Sequence, residues 1–297
     1  MFTNGKLIGL YAETPLHPGS GVTTGVVDLP VQRERHTNYP IIQSSSLKGS
    51  FRTFVESKGV TKPKIEAVFG PEDRGDEHAG SITFTDARIL LFPIRSFQGI
   101  FVWITCPNVL ARLKRDLAAI GITNVNFSIS SVNNGQAFIS DKSDLASELV
   151  LEEYTYNAQK NPEISKTAEW IGENLLPVDE EYNFYKQKLS KHLMILSDDD
   201  FKYLVETATE VTARIVLNDT KTSENLWYEE FIPSDTLFYT ILLALKPRAK
   251  NKNHGLKDAQ AVLEFVTQTV KPDILQVGGD ETIGRGWVRV TIGGGAK

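Results

Sequence analysis

The chain has 297 residues, 41% of them hydrophobic and 23% charged, and its formal net charge is −5 at pH 7. These values are typical of a soluble globular protein that buries a core without disulfides. The single cysteine, Cys106, excludes an internal disulfide and a cysteine-cluster metal site. No apolar run reaches the roughly 20 residues that a membrane-spanning helix needs, and no signal-peptide pattern opens the chain, so we expect a cytoplasmic protein without membrane contacts.

The first half of the chain predicts a strand, a helix and then further strands. Residues 6–15 alternate as a strand does, and Ser46 stands at the N-cap position of a helix that Lys58 and Gly59 end. The apolar stripe of this helix is formed by Leu47, Phe51, Phe54 and Val55. The next predicted elements are strands over 81–93, 99–105 and 148–156 and a helix over 108–120.

The second half predicts a projecting hairpin followed by a closing group of strands. Residues 162–200 are acidic and helix-prone, and two strands, 211–217 and 227–233, are joined by a polar tip. The last predicted elements are a buried strand over 236–245, a helix over 258–270 and strands over 274–277 and 286–292.

The order strand, helix, strand, strand, helix, strand indicates an α+β fold with a ferredoxin-like (RRM-like) palm. No linker divides the chain, so we predict a single domain over 1–297. The palm is expected over 1–161 and 234–297. Residues 162–233 are expected to form an inserted helical segment and the protruding β-hairpin.

Charge is segregated along the chain. Residues 31–64 contain seven lysines or arginines and two acids, and residues 246–257 contain five lysines or arginines and no acid. Such segments can attract a polyanion although the whole chain is acidic. They can equally be two solvated basic loops.

The start of the first helix predicts a phosphate site. A helix N-terminus presents free N–H groups and positive potential. Ser45 and Ser46 add hydroxyl donors, and Lys48 and Arg52 are spaced i, i+4 on one face. The alternative is a serine-capped helix on the surface.

A glycine-rich run, VGGDETIGRG, spans residues 277–286. Gly278 and Gly279 would allow a ligand to approach the backbone, and Arg285 would add a cation. The spacing does not match a dinucleotide fingerprint, and the chain has no P-loop motif. The run can also be a simple hairpin turn.

Asp28, in the segment VVDLP, is the candidate catalytic residue. It is the one carboxylate between Glu13 and Glu34, in a region dominated by basic residues. RNA cleavage can use a single carboxylate because the substrate carries its own nucleophile, the 2′-hydroxyl. Asp28 could deprotonate or orient that hydroxyl, or hold a divalent ion, Mg²⁺ or Mn²⁺. It could instead cap a turn.

Two histidines lie on either side of Asp28, and the hairpin carries aromatic residues. His17 and His36 could assist proton transfer, although His17 precedes a Pro-Gly turn and can simply bond to backbone there. The hairpin strand around Trp227, Glu229 and Phe231 is predicted to be an exposed aromatic and acidic edge that could stack on bases. The alternative is that these residues pack onto the body.

Taken together, LHPGSG, VDLPVQRERHTNYP, SSLKGSFR and VGGDETIGRG resemble the repeat-associated mysterious protein (RAMP) superfamily of CRISPR effectors. Within it the chain is most similar to the backbone subunits of type III-B (Cmr) complexes, over essentially its whole length. The resemblance implies a ferredoxin-like palm, a thumb formed by the hairpin, and copies that stack along a guide RNA beside other Cmr subunits.

The resemblance also implies roles for individual residues. Asp28 would support metal-dependent cleavage of the target RNA. The thumb positions Trp227, Glu229 and Phe231 would kink the guide–target duplex, although some relatives have tyrosine in place of Phe231. The residues implied in guide binding are Ser45, Ser46, Lys48 and Arg52, with the shared glycine loop.

Three functions therefore compete. The first is a guide-binding filament subunit that cleaves target RNA as a metal-dependent endoribonuclease. The second is a structural RNA-binding subunit without nuclease activity. The third is a metal-independent enzyme that processes precursor CRISPR RNA through His17 or His36. The glycine loop and the lone aspartate favour the first.

Overall fold

The structure, a computed structural model, describes residues 4–72, 77–127, 130–270 and 273–293. The helices in these residues are α1 (Ser44–Ser57), α2 (Lys62–Phe69), α3 (Pro107–Ala119), α4 (Pro162–Asn174), α5 (Asn183–His192), α6 (Asp198–Thr207) and α7 (Ala259–Val270). The strands are β1 (Asn4–Ala12), β2 (Ile41–Ile42), β3 (Ile82–Phe84), β4 (Ala87–Arg95), β5 (Phe101–Thr105), β6 (Gln136–Ile139), β7 (Glu148–Leu151), β8 (Tyr154–Lys160), β9 (Leu193–Leu196), β10 (Glu210–Leu217), β11 (Ser223–Phe231), β12 (Leu237–Ala244), β13 (Ile274–Gln276) and β14 (Trp287–Gly293).

One large mixed sheet forms the body of the molecule. Its main path runs β13-β14-β1-β12-β4-β5-β9-β6-β8-β7, with β2 paired to β4 and β3 paired to β12. Strand β1 pairs antiparallel with β12 on one side and β14 on the other. Parallel pairing occurs between β5 and β9 and between β6 and β8. The chain is therefore of the α+β class, as predicted.

Helix α1 covers the sheet with the apolar stripe that the sequence predicts. Leu47, Phe51 and Val55 are buried, and the Phe51 ring lies 4.5 Å from the Phe84 ring of β3. The helix begins three residues earlier than expected, with Gln43 rather than Ser46 at the N-cap position. Ser44, Ser45 and Ser46 therefore form its first turn.

The segment between β4 and β12 contributes strands of its own to the main sheet. Strand β9 lies within 162–233 but pairs with β5 and β6 inside the main sheet. Strands β4 and β12 are neighbours in that sheet, so everything between them in sequence is inserted. The short strands β6 and β9 carry no clear sequence pattern.

The predicted hairpin is present as a separate two-stranded sheet of β10 and β11, which we call the thumb. Arg214 pairs with Trp227 and Glu210 with Phe231. No helix in the described ranges is long and apolar enough to cross a membrane.

A cluster of ion pairs joins the segment after Asp28 to the body. The Glu34 carboxylate accepts hydrogen bonds from both terminal nitrogens of Arg112 on α3 and from Thr37. Nearby, Arg88 pairs with Asp116, which also accepts a bond from the Tyr239 hydroxyl at 3.0 Å. Burial alone would raise the pKa of Glu34, but the bonds from Arg112 and Thr37 outweigh it and the pKa is lowered.

We expect Glu34→Gln to lower the free energy of unfolding by about 2 kcal/mol at neutral pH, because a charge-assisted bond to Arg112 is lost. Since the folded-state pKa of Glu34 lies below its unfolded value, this stabilisation is present above the unfolded pKa and is lost as pH falls through the folded one. Urea denaturation at pH 7 and pH 4 measures the difference. The exposed Glu173→Gln variant is the control, and an equal cost of Glu34→Gln at both pH values would contradict the interpretation.

Candidate RNA interface

The segment that contains Asp28 lies along the outer edge of the thumb strand β11. Leu16 exchanges two backbone hydrogen bonds with Ile232, at 2.9 and 2.8 Å. Further along, Leu29 donates to the Tyr228 carbonyl at 3.1 Å and accepts from the Glu230 amide at 3.0 Å. The first sequence motif and the thumb, about 200 residues apart in the chain, therefore form one structural unit.

Asp28 is half-buried at this edge. Its Oδ2 accepts a hydrogen bond from the backbone N–H of Tyr228 at 2.8 Å, and its own carbonyl accepts one from Thr23 at 2.9 Å. The carboxylate is thus held in place and still reaches solvent. This geometry suits a group that must accept a proton or bind a cation at a defined position.

His17 lies in the same unit, whereas His36 does not. The Nδ1 atom of His17 donates to the Glu230 carbonyl at 2.7 Å, which leaves Nε2 as the nitrogen that can exchange a proton. The His17 ring packs against Phe231 with centroids 5.6 Å apart. His36 lies exposed on a turn beside Glu34.

The glycine-rich run packs directly on His17. Gly279 donates to the His17 carbonyl at 3.0 Å. Gly278 has φ +83°, and a Cβ atom there would collide with the same carbonyl oxygen. The Arg285 guanidinium lies 4.8 Å from the centre of the Phe231 ring. The structure therefore brings Gly278, Gly279 and Arg285 to the base of the thumb.

The predicted phosphate site at the start of α1 is partly filled by the protein itself. The Ser44 amide donates to Oδ1 of Asp86 at 2.8 Å, so a phosphate must bind beside that carboxylate or displace it. Ser45 is exposed, and Ser46 and Lys48 are half-buried. Burial and the neighbouring Arg52 lower the pKa of Lys48. No carboxylate in the described part of the chain pairs with this lysine.

Arg52 is engaged in internal contacts, unlike Lys48. Its Nε lies 2.8 Å from Glu56 and a terminal nitrogen 3.5 Å from Glu72, and it donates to the Gly70 carbonyl at 3.0 Å. These contacts favour a structural role for Arg52.

The two predicted RNA-binding patches lie on different flanks of α1. Ser50 and Phe54 line a groove shared with Gly278. Lys48 and Arg52 are each two positions from Ser50, about 200° around the helix axis. Helix α1 therefore separates Lys48 from the glycine loop, and the two do not form one continuous trough.

The thumb residues are less exposed than predicted. Glu229 is buried, Phe231 is fully buried, and Trp227 is half-buried. Glu229 accepts from the Trp227 ring nitrogen at 2.9 Å and lies 3.4 Å from the Arg214 guanidinium. The predicted exposed edge is wrong because the His17 ring packs on Phe231, and because Trp227 and Arg214 of the thumb itself contact Glu229. The aromatic side chain that is exposed beside Asp28 is Tyr228, at 42%.

Sequence reasoning missed the residues that hold this unit together. Glu230 is buried and bonds to Arg33 at 2.5 Å and to Thr209 at 2.7 Å. In the sequence, Arg33 is recognisable only as one of the basic residues of segment 31–64. The sequence gives one indication that Arg33 belongs to this unit, because it lies five residues after Asp28.

No group of three or more histidine, cysteine, aspartate or glutamate residues that could hold a metal ion occurs in the described ranges. Among the predicted site residues, Asp28 supplies a half-buried carboxylate that accepts from a backbone amide, whereas the carboxylate of Glu229 is buried. Such a donor set fits Mg²⁺ held by one carboxylate, phosphate oxygens and water, because Mg²⁺ usually keeps several waters. It does not fit a tightly bound structural ion.

A model of the RAMP superfamily matches residues 10–289. The chain belongs to the RAMP superfamily. It is 41% identical over 293 residues to the CRISPR system Cmr endoribonuclease Cmr4 of Pyrococcus furiosus, covering 96% of this chain and 95% of that protein. It is 28% identical over 314 residues to the CRISPR system CMR subunit Cmr4 of Saccharolobus solfataricus, covering 97% and 96%. The RAMP assignment and the placement beside Cmr4 confirm the resemblance seen in the sequence.

Solved structures of RAMP proteins share the fold. The crystal structure of oligomeric Cmr4 from Pyrococcus furiosus matches with a TM-score of 0.76 and 33% identity, covering 99% of this chain and all of that one. A chain of the cryo-EM structure of type III-B Cmr-beta bound to cognate target RNA matches with a TM-score of 0.72 and 22% identity, covering 98% of each. The second match supports the fold alone.

We expect Gly278→Ala to destabilise the protein more than Gly284→Ala. Both glycines have positive φ, 83° and 77°, but a Cβ at 284 meets no atom within 4 Å. The control therefore carries only the backbone cost of about 1 kcal/mol, whereas Gly278→Ala also displaces the His17 carbonyl. Urea denaturation of both variants measures this. Equal losses would show that the contact between Gly278 and His17 is not needed.

Proposed function

We propose that this protein is a guide-RNA-binding subunit of a type III-B CRISPR effector and that it cleaves RNA paired to the guide through Asp28. The observation that carries the proposal is the Asp28 carboxylate, fixed by the Tyr228 amide at the base of the thumb. The Pyrococcus furiosus relative at 41% identity is an endoribonuclease by name. The crystal structure of oligomeric Cmr4 from Pyrococcus furiosus supports stacking of copies, and we extend both properties to this chain.

The strand order supports a ferredoxin-like palm within the RAMP fold. The chain order β1, α1, β4, β12, α7, β14 corresponds to the spatial order β14-β1-β12-β4. All three of these neighbouring pairs are antiparallel. This is the split βαβ arrangement, interrupted by the long insertion after β4.

The proposed reaction needs few protein groups. The 2′-oxygen of the target nucleotide attacks the adjacent phosphorus, the bond to the 5′-oxygen breaks, and a 2′,3′-cyclic phosphate and a 5′-hydroxyl form. The 2′-oxygen loses a proton and the leaving 5′-oxygen gains one. In this proposal Asp28 accepts or directs the first proton, and the thumb bends the target backbone so that attack is in line.

A divalent ion, Mg²⁺ or Mn²⁺, is part of the proposal. Asp28 would hold it together with phosphate oxygens and water, and the ion would neutralise charge that develops on the phosphate. His17, with Nε2 free to exchange a proton, is the residue through which a metal-independent reaction would run instead.

Guide binding is assigned to the start of α1. Lys48, half-buried and without a carboxylate partner in the described residues, is the cation available there, with Ser45 and Ser46 as hydroxyl donors. Arg52 supports this helix through its internal ion pairs. The glycine loop and Arg285 support the base of the thumb.

We expect Asp28→Asn to reduce cleavage of a guide-complementary RNA by at least about 100-fold, the lower range for loss of a general base. The asparagine oxygen can still accept the Tyr228 amide, so the loop keeps its place and guide and target affinities are unchanged. Single-turnover cleavage and filter binding with guide-loaded protein measure both quantities. Glu173→Gln, on the surface of α4, is the control.

Wild-type cleavage by the Asp28→Asn variant would remove Asp28 from the reaction and favour the histidine mechanism, whereas RNA binding without any cleavage by the wild-type protein would favour a structural subunit. These alternatives separate in EDTA. Loss of cleavage in EDTA and recovery with Mg²⁺ or Mn²⁺ supports the metal. Full activity in EDTA that is lost in His17→Asn supports processing through the histidine.

We expect Lys48→Ala to weaken guide-RNA binding and to reduce the slope of log affinity against log salt by about 0.7, the value for one phosphate contact to a single strand. The exposed Lys191→Ala variant, on α5, is the matched control and keeps the wild-type slope. The slopes are obtained from affinities measured at about 50 to 300 mM salt, where counterion release dominates the salt dependence. An unchanged slope for Lys48→Ala would place the guide elsewhere.

A further inference from the structure

A buried ion pair joins the Asp28 segment to the thumb. A terminal nitrogen of Arg33 lies 2.5 Å from Oε1 of Glu230, and the two side chains are 15% and 8% exposed. The same carboxylate accepts from the Val31 amide at 2.9 Å and from the Thr209 hydroxyl at 2.7 Å. Three donors from two separate segments therefore converge on one thumb residue. We call Arg33 and Glu230 the clamp.

Arg33 extends the clamp to the body of the molecule. Its second terminal nitrogen donates to the carbonyls of Asn38 at 3.0 Å and Val205 at 3.1 Å. The first is in the same segment as Arg33, and the second is in helix α6. Three of the five N–H groups of this guanidinium therefore donate to protein atoms, one to Glu230 and two to backbone carbonyls.

The clamp lies next to the hydrogen bonds that hold Asp28. Val31, bonded to Glu230, is three residues after Asp28. Between them, Leu29 pairs with β11, and Asp28 itself accepts from the Tyr228 amide. A slip of one residue along β11 would move Asp28 away from that amide and turn its side chain to the other face.

The rest of the segment gives Asp28 little support. Val22 and Val26 are 83% and 95% exposed, so residues 20–27 have no apolar core of their own. Their own contacts are short-range, such as the Thr23 hydroxyl bonded to the Val27 carbonyl at 3.0 Å. The contacts that position Asp28 on the thumb therefore lie outside residues 20–27, at Leu16 and His17 before it and at the clamp after it.

We propose that Arg33 and Glu230 are positioning residues for RNA cleavage: they fix the register of the Asp28 segment on β11, so that the carboxylate moves with the thumb and not independently of it. This inference rests on the proposed role of Asp28. Neither clamp residue touches the reacting atoms. Their effect is on the rate of the chemical step rather than on RNA affinity.

The test uses conservative changes, because removing one partner of a buried ion pair leaves an uncompensated charge. Glu230→Gln keeps an oxygen that can accept from Val31 but loses the charge that binds Arg33. Arg33→Lys keeps the charge but loses the planar guanidinium, which bonds to Glu230 and to two backbone carbonyls at the same time. Asp116→Asn is the control, since Asp116 forms a comparably buried pair with Arg88 away from the thumb.

In guide-loaded protein at saturating target RNA, we expect Glu230→Gln to reduce the single-turnover cleavage rate by about 100-fold, the loss typical of a displacement of about 1 Å. Guide and target Kd values change less than about threefold, and Arg33→Lys gives a smaller loss of rate in the same direction. Amide hydrogen exchange at Leu29 and Glu230 becomes faster in both clamp variants. Asp116→Asn keeps the wild-type rate and the wild-type exchange at these two amides.

Two results would overturn the proposal. One is a wild-type cleavage rate in a clamp variant whose Leu29 and Glu230 amides exchange faster. The other is unchanged exchange at these amides, since the clamp would then not hold the segment. If Glu230→Gln does not fold, Arg33→Lys decides by the same criteria. Wild-type cleavage by Asp28→Asn marks failure of the proposed function itself, which the clamp variants alone do not show.

Discussion

The hydrogen bonds along the outer edge of β11 are the interaction on which the candidate site depends. One edge of this strand pairs with β10, and the other is covered by two pieces of the N-terminal segment, at Leu16 and at Leu29. Without this second pairing, Asp28 and His17 would lie on a loop with no fixed relation to the thumb. A strand edge that could otherwise attract a foreign chain is also protected in this way.

The elements with strong local patterns were predictable from the sequence. Helix α1 follows from the spacing of Leu47, Phe51, Phe54 and Val55, because a strand would place the adjacent Phe54 and Val55 on opposite faces. The thumb follows from two β-rich runs around a polar tip. Strand β9 was missed because four apolar residues after a helix do not distinguish a strand from the end of that helix.

The sequence indicates which residues the candidate site contains, but not how they are arranged or which of them are buried. In the sequence, Asp28, His17 and the glycine run are separate motifs. Only the fold places them at one edge. The burial of Phe231 could not be foreseen, since its ring packs on His17, a residue about 200 positions away in the chain. Local alternation specifies which side chains share a face and says nothing about what covers that face.

The number of basic residues in a segment does not show which of their side chains lack an ion-pair partner in the fold. Arg33 and Arg52 both belong to the basic segment, yet each is neutralised by carboxylates within the fold. Lys48, from the same segment, has no such partner in the described residues. A guanidinium offers several donors in a plane and is readily used to join segments, so arginine content overstates the positive potential that a ligand meets.

The long insertion between β4 and β12 has a consequence for how this chain is made. The palm places Arg95 at the end of one strand and Leu237 at the start of its neighbour, so the sheet cannot close until most of the polypeptide has left the ribosome. Pairings at such sequence separation have a high loop-closure entropy and form slowly. The strands from β5 to β9 have partners within the inserted part, so their pairing does not have to wait for the synthesis of β12.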